Sequence, residues 1–117
     1  MIKKKLFKIA IVGLGNIGSY LYKYLNKNKI VLSGKNNVKY EIAYVSAKSK
    51  NKKRKIKFKN KQWIKNYIDI TKKKDVDIVI ELIGGADGPA KKLVYAAINN
   101  KKHVVTANKA LISKHGD

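Results

Sequence analysis

Glycines 13, 15 and 18 stand at the spacing G-x-G-x-x-G, behind the apolar run LFKIAIV of residues 6–12 and ahead of a helical pattern. That placement has a mechanical meaning. Gly13 permits a tight turn out of a strand, Gly15 lets backbone approach a pyrophosphate, and Gly18 lets a helix pack closely on the strand. The helix that follows offers first-turn N–H groups and the positive end of its dipole to phosphate oxygens. A structural turn in an α/β protein that binds no nucleotide is the plainer alternative. Two more segments bear on the same chemistry. Gly84 and Gly85 close a second apolar run, and either bring backbone against a ligand or make a turn before Pro89 opens a helix. Lys109 follows Asn108, a candidate helix cap, three residues beyond a short strand pattern at 103–106. Its position aims it at a ligand edge, although in so lysine-rich a chain a surface charge is the competing reading.

Strands and helices must place these groups. Residues 6–12 suit a strand buried on both faces. Over 17–25, Ile17, Leu21, Tyr24 and Leu25 share one helical face. Residues 26–37 read as a polar loop and 40–46 as a second strand. Residues 48–61 carry nine basic side chains in fourteen and read as an exposed loop, whose end KIKFKNK fits a short edge strand guarded by lysines. Trp63, Ile64, Tyr67 and Ile68 give a brief helical face, and VDIVIELI at 76–83 a buried strand. Residues 90–99 read as a helix with Leu93, Val94, Ala97 and Ile98 inward, 103–106 as a strand, and 110–115 as the start of another helix.

This alternation predicts an α/β fold: a Rossmann-type doubly wound, mostly parallel sheet with helices on both faces. In such a sheet ligands sit beyond the carboxyl ends of the strands, where the glycine loop and residues 84–90 and 106–110 converge. NAD recognition usually places a carboxylate at the end of the second strand, to hold the ribose 2′-hydroxyl. Here that strand ends Ser46-Ala47-Lys48, and Glu41 lies at its other end. Lys48, with Lys50 or Arg54 behind it, could meet a 2′-phosphate, so NADP is favoured and NAD is the alternative. Glu81 alternates with apolar neighbours and points either toward the ligand edge or at a backbone donor. The carboxylates other than Glu81 and Asp87 read as surface charges.

Composition bounds the rest. The 117 residues make one domain, and 44% hydrophobic content is enough for one core. No apolar run reaches the roughly 18 residues of a membrane span. The basic, apolar start lacks a signal-peptide cleavage pattern and is interrupted by Lys8. Without cysteine there are no disulfides, which agrees with a cytoplasmic location. His103 and His115 have no ligand partners at metal-site spacing, so no metal site is expected.

The net charge of +21 invites a nucleic-acid reading. Yet of the 28 basic residues only Arg54 is arginine, the side chain best shaped to grip phosphate. Lysine, isoleucine and asparagine, all with A- and T-rich codons, are abundant together, so base bias explains the charge better than selection for a polycation. A basic nucleic-acid-binding protein remains the minor alternative, and specific nucleic-acid recognition is not expected.

The stretch DIVIELIGGADGPAKKLVYAAINNKKHVVTANKALISKHG, residues 77–116, closely resembles the cofactor domain of homoserine dehydrogenases, and KIAIVGLGNIGSYLYKYL resembles that family's first strand, glycine loop and helix. The resemblance implies an oxidoreductase joining L-aspartate 4-semialdehyde and L-homoserine with NADPH or NADH, on the way to threonine and methionine. By matching motif it assigns the cofactor to Gly13, Gly15, Asn16, Ile17 and Gly18, with Gly84, Gly85, Thr106 and Ala107 on the nicotinamide side. It also puts Lys109 in the active site, where an ammonium group can stabilise or protonate the oxygen that gains charge as hydride reaches an aldehyde. The family continues into a substrate-binding, dimer-forming domain. Residues 1–117 therefore read as a dinucleotide-binding domain cut off at its C-terminus, inactive alone, whose full-length form is a homodimer without membrane partners. A stand-alone dinucleotide-binding module without catalysis is the alternative.

Overall fold

Alternating side chains send Ile9 and Ile11 of the first strand to one face and Ala10 and Val12 to the other, and all four are buried. A strand covered on both sides must be central to a layered α/β structure. The computed structural model describes residues 5–27, 30–33, 36–48, 57–83 and 88–106. In chain order these form β1 (Lys5–Val12), α1 (Asn16–Lys27), β2 (Ile30–Ser33), β3 (Asn36–Ser46), α2 (Tyr67–Ile70), β4 (Ile78–Glu81), α3 (Pro89–Asn99) and β5 (His103–Thr106), with a 3₁₀ turn at Asn60–Gln62. Among the described residues the sheet has the order β2-β3-β1-β4-β5. The β3, β1, β4 and β5 strands run parallel, and β2 is antiparallel on the β3 edge. The fold is thus the expected doubly wound, mostly parallel sheet.

One core layer joins Leu14 and Tyr22 to Ile9, Ile11, Ile42, Val45 and Ile80 of the sheet. The opposite layer sets Ile70, Val76, Leu93 and Ala97 against Ala10, Val12 and Val79. Pro89 opens α3 with Gly88 as its cap, as the sequence indicates. At the other end of α3 the Lys101 and Lys102 N–H groups donate to Ile98 and Ala97 carbonyls, a Schellman closure. Lys101 stands at φ 61, in the left-handed region that normally takes glycine.

Several details differ from the sequence expectation. Residues 30–33 form a strand rather than a loop, because IVLS pairs with the early residues of β3, which starts at Asn36. Lys57–Lys61 is no edge strand: only Phe58 of this run supplies apolar contact, stacking on Trp63 at 5.5 Å between ring centroids. Trp63 and Ile64 are not helical. Trp63 bridges to Val45, and α2 begins later, where the Asn66 side chain accepts from the Ile68 N–H. On α1, Ile17 (66% exposed) and Tyr24 face outward while Gly18 and Tyr22 are buried. Leu21 and Leu25 of the expected stripe do pack against the core, and the close approach at Gly18 rotates the inward face toward Tyr22. Ile98, 58% exposed, likewise faces out.

Gln62 closes the β3 edge. Its Oε1 accepts from the Tyr22 hydroxyl at 2.9 Å and the Lys59 N–H at 3.0 Å, and its Nε2 donates to the Ile42 carbonyl at 2.9 Å. Burial pushes the Tyr22 phenol above its ordinary pKa, and the hydrogen bond to Gln62 opposes that push. Gln62→Ala is expected to cost about 2–3 kcal/mol in urea denaturation, since it strands the Tyr22 hydroxyl and the Ile42 carbonyl. Lys101→Gly is expected to raise stability by about 1 kcal/mol in the same measurement, because glycine adopts the left-handed closure without strain.

Candidate functional site

The register brings the last residues of four parallel strands into one row: Val12 pairs with Ser46 on one side and Glu81 on the other, and Glu81 pairs with Thr106. From β1 the chain crosses to β3 on one side and later returns to β4 on the other, so the row spans a topological switch point. This is where open α/β sheets bind ligands.

Gly13 leaves β1 here at φ 104, and its N–H donates to the Ser46 carbonyl at 2.8 Å. A Cβ on Gly13 would lie 2.6 Å from the Leu82 carbonyl oxygen, and one on Gly18 would lie 2.0 Å from that of Gly13. The turn and the helix start therefore touch each other and the end of β4. Gly15 differs: among the described residues a Cβ there would meet nothing within 4 Å. The protein's own packing requires glycine at 13 and 18, whereas at 15 the missing side chain leaves room for a group from outside. A pyrophosphate fits that requirement.

Asn16 opens α1, and the Ser19 N–H donates to the Gly15 carbonyl at 2.8 Å. The N–H groups of Asn16, Ile17 and Gly18 precede that first intrahelical bond and project from the helix end. No acidic side chain stands in this first turn. The arrangement suits an anion, by hydrogen bonding and by the helix dipole together.

Lys48 is exposed two residues past the end of β3, on the side of the row next to the glycine loop. Thr106 ends β5, where its hydroxyl donates to Glu81 Oε1. Gly84, Gly85, Ala107, Lys109 and Arg54 lie outside the described residues. Glu81 is fully buried, with Oε2 accepting from the Ile83 N–H at 2.6 Å. Of the two readings its sequence position allowed, the backbone donor is the one realised, with the link to Thr106 added. A lone acid inside an apolar strand run was the available signal.

Asp77 is not a surface charge. Its Oδ2 accepts from the Lys8 N–H at 2.8 Å, and its backbone also bonds to Lys8 and His103, tying the starts of β4 and β5 to the middle of β1. Clefts of about 680 Å³ beside Trp63–Tyr67 and about 580 Å³ beside Tyr22, Tyr40 and Gln62 take no residue from the glycine loop. The site is accordingly assigned from the strand ends. Among the described residues there is no cluster of three or more potential metal ligands, and no helix long and apolar enough to cross a membrane.

A doubly wound sheet whose glycine turn opens onto a helix N-terminus at the switch point defines a Rossmann-type dinucleotide-binding domain. Residues 13–117 match the family described as homoserine dehydrogenase, NAD binding domain, and the chain belongs to that family. Its cofactor is accordingly a nicotinamide dinucleotide. The homoserine dehydrogenase of Neisseria gonorrhoeae is 36% identical over 109 residues, covering 93% of this chain and 25% of the relative. The crystal structure of S. aureus homoserine dehydrogenase superposes with a TM-score of 0.81 at 31% identity, over 97% of this chain and 28% of that one. The Thiobacillus denitrificans homoserine dehydrogenase gives a TM-score of 0.74 at 28% identity, over 99% and 26%. The chain thus spans about a quarter of the length of the curated relatives it matches.

The two outer glycines and the middle one separate in a paired experiment. Gly18→Ala is expected to destabilise the domain by about 3 kcal/mol or more in urea denaturation, since the methyl overlaps backbone. Gly15→Ala is expected to leave stability within about 1 kcal/mol yet weaken nicotinamide dinucleotide binding at least tenfold in a fluorescence titration.

Proposed function

We propose that residues 1–117 are the dinucleotide-binding domain of a homoserine dehydrogenase, and that the whole protein interconverts L-aspartate 4-semialdehyde and L-homoserine in threonine and methionine biosynthesis. The observation that carries the binding role is the open space at Gly15, set against the helix N-terminus and unfilled by any described residue. Family membership supports the reaction. Gly13, Gly15, Asn16, Ile17 and Gly18 hold the pyrophosphate, while Gly84, Gly85, Thr106 and Ala107 flank the nicotinamide half. The bound cofactor supplies or accepts the hydride. Lys109 holds a proton at the substrate's carbonyl oxygen, where charge develops during reduction.

NADPH is the preferred cofactor on this reading. Support comes from the end of β3, where Ser46, Ala47 and exposed Lys48 offer no carboxylate to a 2′-hydroxyl and one cation to a 2′-phosphate. Arg54 is the second candidate cation for that phosphate. The protein is cytoplasmic, acts as a homodimer at full length, takes a small-molecule substrate and has no membrane or specific nucleic-acid partner.

In the protein as its cell makes it, Lys109→Ala is expected to lower kcat about 100-fold or more while NADPH affinity stays within about threefold. Unchanged turnover rejects the catalytic role and leaves a dinucleotide-binding module without chemistry. Lys48→Glu is expected to weaken NADPH at least about tenfold more than NADH, and equal losses reject the assignment of the 2′-phosphate.

A further inference from the structure

Each half of a doubly wound site serves one half of a dinucleotide, and the two halves here are held together by different means. On the β1–β3 side the strand ends are tied by backbone: the Gly13 N–H donates to the Ser46 carbonyl, and across the switch point the Leu82 N–H donates to the Val12 carbonyl, each at 2.8 Å. On the other side the ladder between β4 and β5 has Glu81 and Thr106 as the last pair among the described residues. There the side chain of Glu81 adds a tie of its own. One carboxylate oxygen accepts from the Ile83 N–H, two residues along its own chain, and the other accepts from the Thr106 hydroxyl on the neighbouring strand.

A carboxyl group in that place is costly to bury, and an apolar residue would suit the packing beside Val12 and Val79. A directional task explains its presence. We infer that Glu81 is the positioning residue of the nicotinamide half: it sets where the chain leaves β4 and β5 relative to each other, and so where Ile83 and Thr106 meet the cofactor. This deepens the dinucleotide-binding reading above and rests on it. The Thr106 hydroxyl, engaged by Glu81, then contributes its backbone and methyl group to the ligand more than a free hydroxyl.

The test compares a whole dinucleotide with its adenosine half. In the protein as its cell makes it, the Kd of NADPH and of ADP-ribose is measured for the unmodified chain, Glu81→Ala and Glu81→Gln. Glu81→Ala is expected to weaken NADPH at least about tenfold and ADP-ribose less than about twofold, because the backbone-tied half is untouched. Glu81→Gln keeps an acceptor for Ile83 and can donate to a rotated Thr106 hydroxyl, so it is expected to recover most of the NADPH affinity. Equal weakening of both ligands, or of neither, overturns the inference. An unmodified protein that binds neither ligand instead overturns the dinucleotide reading itself. Should Glu81→Ala fail to fold, Thr106→Val decides: NADPH weakened about threefold or more with ADP-ribose unchanged supports the positioning role, and any other pattern rejects it.

Discussion

Gly18 lies so close to the carbonyl oxygen of Gly13 that any side chain there would overlap it. Much of the molecule follows from this contact. It brings the first turn of α1 against the turn that feeds it, which fixes the helix direction and aims its opening N–H groups along the row of strand ends. It also fixes the rotation of α1 about its own axis. With position 18 inward, Tyr22 one turn later enters the core, and its hydroxyl reaches Gln62. Gln62 in turn holds the Ile42 carbonyl on the open edge of β3. A steric requirement at one residue thereby orders the phosphate-facing helix end and the far edge of the sheet together.

Two carboxylates, half-buried Asp77 and buried Glu81, make side-chain ties between the parallel strands. Where β4 and β5 start, beside the middle of β1, Asp77 accepts from the Lys8 N–H, and its backbone bonds to Lys8 and His103, which aligns three strands. At the finishing end Glu81 links Ile83 to Thr106. Parallel ladders leave such ends without regular partners, so a side chain able to accept two hydrogen bonds can define what backbone geometry alone does not. Among the described residues no buried side-chain nitrogen or oxygen lacks a partner. Apolar alternation builds the layers, and these few acceptors set the register of the exits.

The central strands, α3 with its Pro89 start, and the glycine turn were legible because each rests on a local, one-dimensional signal. Six apolar residues among the seven at 6–12, proline beside glycine, and three glycines at fixed spacing need no knowledge of distant contacts. Where the signal was ambiguous, a distant contact decided. The inward face of α1 was legible only in part: Leu21 and Leu25 pack against the core as the spacing indicates, while the contact of Gly18 with Gly13 turns Tyr22 inward and leaves Ile17 and Tyr24 outside. The alternation in KIKFKNK resembled a strand, yet β3 takes its edge partners from Gln62 and Trp63 instead. Asp77 read as a surface charge because its donor, Lys8, is far away in sequence, and for Glu81 a backbone donor was one of two readings while its link to Thr106 was not foreseen. At the candidate site the phosphate-facing half was legible for the same local reason, while the coupling between strand exits emerged only in three dimensions.

Charge does less to select a ligand than its amount suggests. A net +21 spread over 117 residues draws any anion, and at physiological salt that attraction is screened over roughly 8 Å. A field of this kind raises the local concentration of dinucleotides, nucleic acids and acidic metabolites alike. Discrimination must come from groups whose positions are fixed. The carboxylates of Asp75, Asp77 and Glu81 accept from a tyrosine hydroxyl, backbone N–H groups and a threonine hydroxyl, so these acids define geometry as well as balance charge. The open space at Gly15 and the projecting N–H groups of α1 suit a diphosphate at one fixed point beside the paired exits of β4 and β5. The lysine-rich surface gathers anions, and the glycine turn with its tied strand ends chooses among them.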